Sequence, residues 1–444
     1  MLFDPDLQIY YQKVRDAVGP ELAPLLKFFA HGQHNHEGPD TSGLGGPVNR
    51  KYHDYMHQQM TDASVEAIRT MTPASLKYGT FKHLFGLEDS RDPLIVDPNV
   101  KVLRAVAASD PFGSPIFTLV QWGMHPEVTL GYRPTFDTQS DCPALGIDPT
   151  SDDCTARGRF FSSDYPGAFR RALQGTNIKY IFLLFFFLSF INVPVKGIDG
   201  SKEVLYFNGA IGSQIGPGGD VWEVTSEHPL GDGTTLPPGA VAVPYNFRKS
   251  WLIGHQLAVQ VADFVTRYEV AQTESVQYLQ TATFSRLTNV LFKIGLVPQS
   301  ALGGDPTLPL VLGYALRDLY VCTGSPATEA NCVSDNYAFE YKPLPVRVGG
   351  FAKCHIQYAR LGNLQLVSMP GEFSPELVIG VPADFDTPEG TSKYYLRPDL
   401  HPVEAAYKFP GTIYSSLNCT HEEGLCFTLG LTGDEMGYVF PVRK

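Results

Sequence analysis

A chain of 444 residues with 46 acidic and 34 basic side chains carries a formal charge of −12, which argues against binding a nucleic-acid backbone, because such a protein needs a basic face. At 18% charged and 43% apolar residues it is globular rather than disordered. The length is enough for a large buried core, arranged as two or three domains or as one elaborated α/β domain.

In chain order, Leu7, Tyr10, Tyr11, Val14, Val18, Leu22 and Leu25 recur at helical spacing, so an amphipathic helix opens the chain and no signal peptide is read there. His34-Asn35-His36-Glu37-Gly38-Pro39-Asp40 follows an apolar run and places two imidazoles one residue apart. A helix is predicted from about Tyr52 to Met71, with Tyr52, Tyr55, Met56, Met60, Ala63 and Ala67 as its core face. Val100 to Ala107 reads as a strand, Asp110-Pro111-Phe112-Gly113 as a turn and Ile116 to Trp122 as a second strand, a hairpin leading into His125-Pro126. The acidic run Asp137, Asp141, Asp148, Asp152 and Asp153 matches no calcium loop and reads as solvated surface.

Residues 181–193 form an apolar run that as a helix spans only ~20 Å, short of a ~30 Å hydrocarbon core. Residues 216–240, 300–308 and 383–392 read as surface loops, and Gly216-Pro217-Gly218-Gly219 is not a phosphate loop because no Gly-Lys-Ser/Thr follows. A helix from Trp251 to Tyr268 turns Ala258, Val261, Ala262 and Val265 inward. Leu364 to Met369 is a strand that runs into Pro370-Gly371-Glu372-Phe373, and Met436-Gly437-Tyr438-Val439 closes the series. No internal repeat is apparent.

Of seven cysteines, six fall in three close pairs, Cys142 with Cys154, Cys322 with Cys332 and Cys419 with Cys426, leaving Cys354. Short-loop disulfides and hence a secreted or lumenal location are the expectation, with scattered free thiols in a cytosolic protein the alternative, and the sequon Asn418-Cys419-Thr420 agrees with the former. No zinc-finger spacing is present. His34, His125, Glu372 and Tyr438 together offer two imidazoles, a carboxylate and a phenol. Nitrogen and oxygen donors without thiolate suit a catalytic Zn2+ with one position open, which makes a metal-dependent hydrolase the expected class. Taken singly, His125 reads as a core histidine, Glu372 as a cap for a following helix and Tyr438 as packing.

At these four places the chain resembles the neutral/alkaline ceramidase family, zinc enzymes that hydrolyse the amide of N-acylsphingosine to a fatty acid and sphingosine. His34 opens the family's His-x-His-(Ser/Glu)-Gly-Pro segment, with His36 as active-site neighbour. His125 matches its His-Pro dipeptide, Glu372 its Pro-Gly-Glu turn and Tyr438 its Gly-Tyr-Val segment. Weaker echoes lie in Arg91-Asp92-Pro93 with Asp97-Pro98, in Ser162-Ser163-Asp164-Tyr165-Pro166-Gly167 and in Phe207-Asn208-Gly209-Ala210.

The resemblance implies a mixed α/β, sheet-centred metallohydrolase with ligands on loops after strands. It implies one catalytic domain over 1–444, incomplete at both ends and without the family's C-terminal immunoglobulin-like domain. It breaks off after Arg171 and resumes near Glu203, so residues 175–196 are expected to be an insertion, either translated non-coding sequence or a membrane-contact loop. The family's nucleophilic serine lies in a Gly-Asp-x-Ser-Pro segment, whereas here Gly212-Ser213-Gln214-Ile215-Gly216-Pro217 sets Ser213 two or three residues out of place. Water activated by the metal is therefore the expected nucleophile, with Ser213 the alternative. The implied partner is a sphingolipid or other N-acyl lipid, with peripheral membrane contact and no nucleic acid. Two other readings remain: an inactive or truncated lipid-binding relative, and a zinc hydrolase for another amide or ester.

Overall fold

Asn99–Ala107 is buried at every position but its last, the mark of a strand covered on both faces, and the layering follows from that. The computed structural model describes residues 4–39, 41, 48–72, 74–89, 95–107, 115–130, 143, 148–151, 161–184, 187–196, 203–217, 222–223, 228–229, 235–236, 241–242, 247–270, 282–284, 312–322, 347–348, 351–361, 364–380, 412–417, 426–433 and 437–439. Strands β1 (Ala74–Lys82), β2 (Asn99–Ala107) and β3 (Pro115–Trp122) run antiparallel, with Tyr78 opposite Leu103 and Leu103 opposite Leu119. Strands β4 (Gly175–Leu184) and β5 (Phe187–Lys196) form an antiparallel hairpin of their own, from Gly175 opposite Lys196 to Leu184 opposite Phe187. Strand β6 (Glu203–Asn208) lies parallel to β3, Trp122 opposite Asn208. A parallel neighbour needs a crossover, and helix α3 (Asp164–Gln174) lies in it. Ala282–Phe284, β7, closes the other edge on β1.

Alternation along the strands sends Val100, Val102, Val120, Trp122, Val204 and Tyr206 to one face, where Tyr165, Phe169 and Leu173 of α3 and Ile253, Leu257 and Val261 of helix α4 (Phe247–Val270) cover them. A Cβ on Gly254 would lie 2.6 Å from the Phe169 backbone nitrogen, so the two helices touch where only glycine fits. The other face, with Leu76, Tyr78, Leu103 and Leu119, meets Leu364, Phe427 and Leu429 of a second sheet. That sheet orders as β8 (Leu312–Cys322), β9 (Phe351–Leu361), β10 (Leu364–Ser368) and β12 (Cys426–Leu429), its last pair parallel. Between β10 and β12 in sequence comes the short β11 (Glu372–Phe373), paired parallel with β13 (Tyr438–Val439). Helices, sheet and sheet thus stack as a mixed α/β fold, and each large apolar side chain buried between layers contributes ~1.5–3 kcal/mol.

Helix α1 (Asp4–Val18) buries Leu7, Tyr10, Tyr11 and Val14 against helix α2 (Arg50–Arg69). It ends sooner than its apolar spacing predicts. Gly19 takes φ +87 and Pro20 follows, so Leu22 lies outside the helix and Leu25 ends a short 3-10 turn. The α2 face also differs from expectation: His53, His57, Thr61 and Val65 are buried, while Tyr55 is 62% exposed. The inward stripe runs at four-residue spacing and three of its four residues are polar, so counting apolar residues alone selected the neighbouring face.

The helix after Glu372 begins at Pro375 with Ser374 at its N-cap, and Glu372 lies in a strand rather than in a cap. The 216–240 segment holds the two-residue strands Trp222–Glu223, His228–Pro229 and Thr235–Leu236. The predicted turn at 110–113, the loops at 300–308 and 383–392, and all of the acidic run but Asp148 lie outside the described residues. Among the described residues no helix is long and apolar enough to cross a membrane.

The disulfide expectation needs correction. None of the three expected pairs has both members among the described residues: Cys354 is a buried thiol on β9, and Cys426 is buried beside Ala210, Phe373, Val378 and Tyr414. Cys142, Cys154, Cys332 and Cys419 lie outside the described residues, as does the Cys322 side chain. A secreted or lumenal location inferred from cysteine pairs therefore has no structural basis.

Candidate metal centre

The C-terminal ends of the parallel pairs β3–β6 and β10–β12 point to one place. From β3 the chain continues into Gly123-Met124-His125, from β6 into Gly209–Gln214, from β10 into Glu372, and from β12 into Gly430–Thr432. The segment carrying His34 is sewn onto them. His31 Nδ1 lies 2.9 Å from the Gly430 carbonyl oxygen while its Nε2 accepts from the Asn208 backbone N–H at 3.1 Å. Those two bonds define a neutral imidazole with the proton on Nδ1. Burial agrees, pushing the His31 pKa down to about 3. Asn208 Nδ2 donates to the Gln33 carbonyl at 2.8 Å, and Gly32 N–H donates to the Leu431 carbonyl at 2.8 Å. His34 then takes φ +56, a left-handed conformation that L residues rarely adopt.

His34, His36 and His125 bring one ring nitrogen each within 4.8 Å of one another. His125 is fully buried, His34 nearly so, and His36 is the most open, its side chain 29% exposed. The Gln214 carbonyl oxygen lies 3.1 Å from His125 Nδ1 and 3.1 Å from the His125 backbone nitrogen, and accepts from both. With Nδ1 donating, the Nε2 lone pair faces Glu372 Oε2 at 3.0 Å. His34 Nε2 approaches the same oxygen at 3.4 Å. Burial, reinforced by His125 and His36, lowers the His34 pKa to about 2, so this ring is neutral and has a lone pair to give. A proton or a metal cation between these atoms satisfies them, and a donor set of imidazoles with a carboxylate suits a divalent transition metal. The backbone carbonyl behind His125 is the kind of outer partner that orients a ligating histidine.

Gln214 is itself immobilised. Its Oε1 accepts from the Asp97 N–H at 2.8 Å, and its Nε2 donates to the carbonyls of Gly123 and Ala210. On the open side His36 Nδ1 lies 3.6 Å from Glu127 Oε2, while Glu127 Oε1 accepts from the Gly216 N–H at 2.7 Å. Burial lowers the His36 pKa, with Glu127 opposing. Glu37, next in sequence, is raised to about 8 by burial and by Asp164. Asp164, raised to about 6 by burial, accepts from Thr129 N–H at 3.0 Å, from the Tyr165 N–H and from Ser250 Oγ at 3.3 Å. It thereby ties the loop after His125 to the start of α3 and to α4.

Tyr438 stands directly opposite Glu372 in the parallel β11–β13 pair, held by the Glu372 N–H to Gly437 carbonyl bond at 2.9 Å, and is 48% exposed. Ser213 is buried, and its hydroxyl has no hydrogen-bond partner among the described residues, so no base is placed to activate it. The structure thus gathers His34, His36, His125 and Glu372 and sets Tyr438 beside Glu372. His31, Asn208, Gln214 and Glu127 escaped the sequence reading. Of these, Asn208 and Gln214 carried a signal, their places in the Phe207-Asn208-Gly209-Ala210 and Gly212-Ser213-Gln214-Ile215-Gly216-Pro217 segments.

No family model matches the chain, and no curated protein matches it. Among solved structures, one described as neutral ceramidase from Pseudomonas aeruginosa aligns with 99% of the chain and 59% of its own length, at 16% identity and TM-score 0.43. Another, described as ceramidase complexed with C2, aligns with 99% of the chain and 60% of its own length, at 14% identity and TM-score 0.45. The chain therefore spans 59–60% of the length of these two structures.

Proposed function

We propose that the chain is a zinc-dependent amidohydrolase that cleaves the N-acyl amide of ceramide to fatty acid and sphingosine. The observation that carries this reading is the convergence of the His34 and His125 Nε2 atoms on Glu372 Oε2, with His36 at the solvent side. The motif resemblance at His34, His125, Glu372 and Tyr438 supplies the substrate class. His34, His125, Glu372 and Tyr438 would hold the ion. Bound zinc supplies Lewis acidity toward an amide carbonyl and lowers the pKa of a water to ~7.

The protein's own groups do the rest. Gln214 orients His125 with Nδ1 donating and Nε2 turned to Glu372, and burial keeps His34 neutral, so the His34 ring keeps its lone pair near pH 7. His36, more open and set against Glu127, is placed to carry a proton to the departing amine, which leaves poorly without one. Glu127 stabilises the protonated ring during that transfer. Ser213 has no base, which favours water over the serine hydroxyl as nucleophile.

The test is turnover of a fluorescent short-chain ceramide by the purified chain, with metal content measured alongside. Activity lost on chelation, restored by zinc, and lost together with the metal in His125→Ala supports the proposal. A folded, zinc-loaded chain that leaves ceramide intact refutes the substrate. A folded chain that takes up no zinc refutes the metal site.

A further inference from the structure

A cavity of about 180 Å³ opens between α1, the segment 26–28 and strands β8 and β9, and it shares no residue with the histidine cluster. Its charge is one-sided: Arg15 and Lys27 line it, and no aspartate or glutamate does. Neither cation is engaged in an ion pair among the described residues. Each is held over a ring instead, Arg15 Cζ 5.1 Å from the Phe28 centroid and Lys27 Nζ 5.1 Å from the Tyr314 centroid. Tyr11 stacks on Phe28 with centroids 4.4 Å apart, so the wall beneath the cations is stiff and aromatic.

An independent feature marks the same cavity. Gln357, only 4% exposed, donates from Nε2 to the Phe28 carbonyl at 2.7 Å and to the Tyr314 hydroxyl at 3.1 Å. Those bonds fix which end of the amide is oxygen. Oε1 is left buried with no donor, facing Gly433, where a Cβ would lie 3.6 Å from it. The site thus offers two cations, each over an aromatic ring, and one buried acceptor awaiting a hydroxyl.

We propose that this cavity binds a phosphate monoester, whose ionised oxygens accept from Arg15 and Lys27 and whose hydroxyl donates to Gln357 Oε1. Charge-assisted bonds from arginine and lysine are the common means of holding phosphate. An ionised carboxylate or sulfate answers the cations but has no proton for Gln357. A soluble ester and a lipid headgroup share this chemistry, and the experiment separates them.

Glycerol phosphate and sulfate are titrated calorimetrically into the full zinc-loaded chain, and the chain is floated with phosphatidylcholine vesicles with and without phosphatidic acid. Expected are one glycerol phosphate per chain, sulfate weaker by about fivefold or more, and a loss of about tenfold or more in the double variant Arg15→Gln, Lys27→Gln. His125→Ala must leave this binding intact, which separates it from anion binding at the metal. Gln357→Leu should abolish the preference over sulfate. Preference for phosphatidic acid vesicles over the soluble ester identifies a lipid headgroup, and the reverse identifies a soluble ligand. The proposal is overturned if no arm shows saturable binding, if the double variant binds unchanged, or if sulfate equals the ester in the parent chain.

Discussion

Gly212→Ala is the sharpest perturbation of the metal centre that touches no ligand. The added Cβ would lie 2.8 Å from the Phe373 carbonyl carbon and closer still to the Glu372 carbonyl oxygen. These are backbone atoms and cannot swing away. Restoring ordinary contact requires a retreat of about 1 Å, and overpacking of this sort costs ~1–3 kcal/mol. The strand that must retreat is pinned by Gly212 N–H to the Phe373 carbonyl at 2.9 Å, Glu372 N–H to Gly437 at 2.9 Å and Ser374 N–H to Val439 at 3.0 Å. Movement is thus transmitted to the Glu372 carboxylate, and a shift of that size costs roughly 10²-fold in turnover. Zinc affinity, measured by competition with a chromophoric chelator, should fall ~10- to 100-fold, as when an orienting partner is lost. Gly19→Ala is the control: its φ of +87 strains the backbone with nothing within 4 Å, so stability falls by ~1 kcal/mol with affinity unchanged. Gly212→Ala protein with parental affinity and melting temperature would refute the reasoning.

Gly254→Ala should destabilise by ~1–3 kcal/mol by wedging α4 off α3, read as a lower denaturation midpoint at unchanged zinc affinity; a neutral result would mean the helices are not in contact there. Asp164→Ala leaves the Thr129 and Tyr165 N–H groups without an acceptor and should cost on the order of 3 kcal/mol, with loss of metal because the loop after His125 is released. The metal-free protein should be most stable near pH 6.5, about where the unfolded histidines titrate. His31, His34 and His83 stay neutral when folded, with pKa values of about 3, about 2 and about 4, so the unfolded chain takes up their protons below about 6.5 and stability falls with pH. Folded Glu37 and Asp164 keep their protons up to about 8 and about 6, so they remove stability as pH rises over those ranges and offset only part of the histidine effect below pH 6. Melting temperatures that keep rising above pH 8 would contradict this.

The candidate ligand residues were legible because each sits in a short segment whose chemistry is local: a histidine pair, a His-Pro after a strand, a Pro-Gly-Glu segment. Strands β2, β3 and β10 and the inward face of α4 were legible for the same reason, since burial imposes a period on neighbouring residues. What was hidden acts through the backbone or across the chain. Gln214 serves His125 with its carbonyl oxygen, an atom every residue has, so no side-chain identity announces it. His31 is an ordinary histidine until Asn208 and Gly430 reach it. On α2 the buried stripe of His53, His57 and Thr61 is polar, and polar stripes look like surfaces.

His31 reaches Gly430 across 399 positions and His125 reaches Glu372 across 247. A polypeptide made from its N-terminus therefore exposes the His34 segment long before its partners exist. Such distant closures are slow to find because the loop entropy is lost before any contact repays it. The metal pocket should be among the last features to form during folding, and an ion that binds only the finished pocket draws the whole equilibrium toward the native state. Zinc supply during synthesis would then govern how much folded protein accumulates, apart from any part the ion plays in turnover.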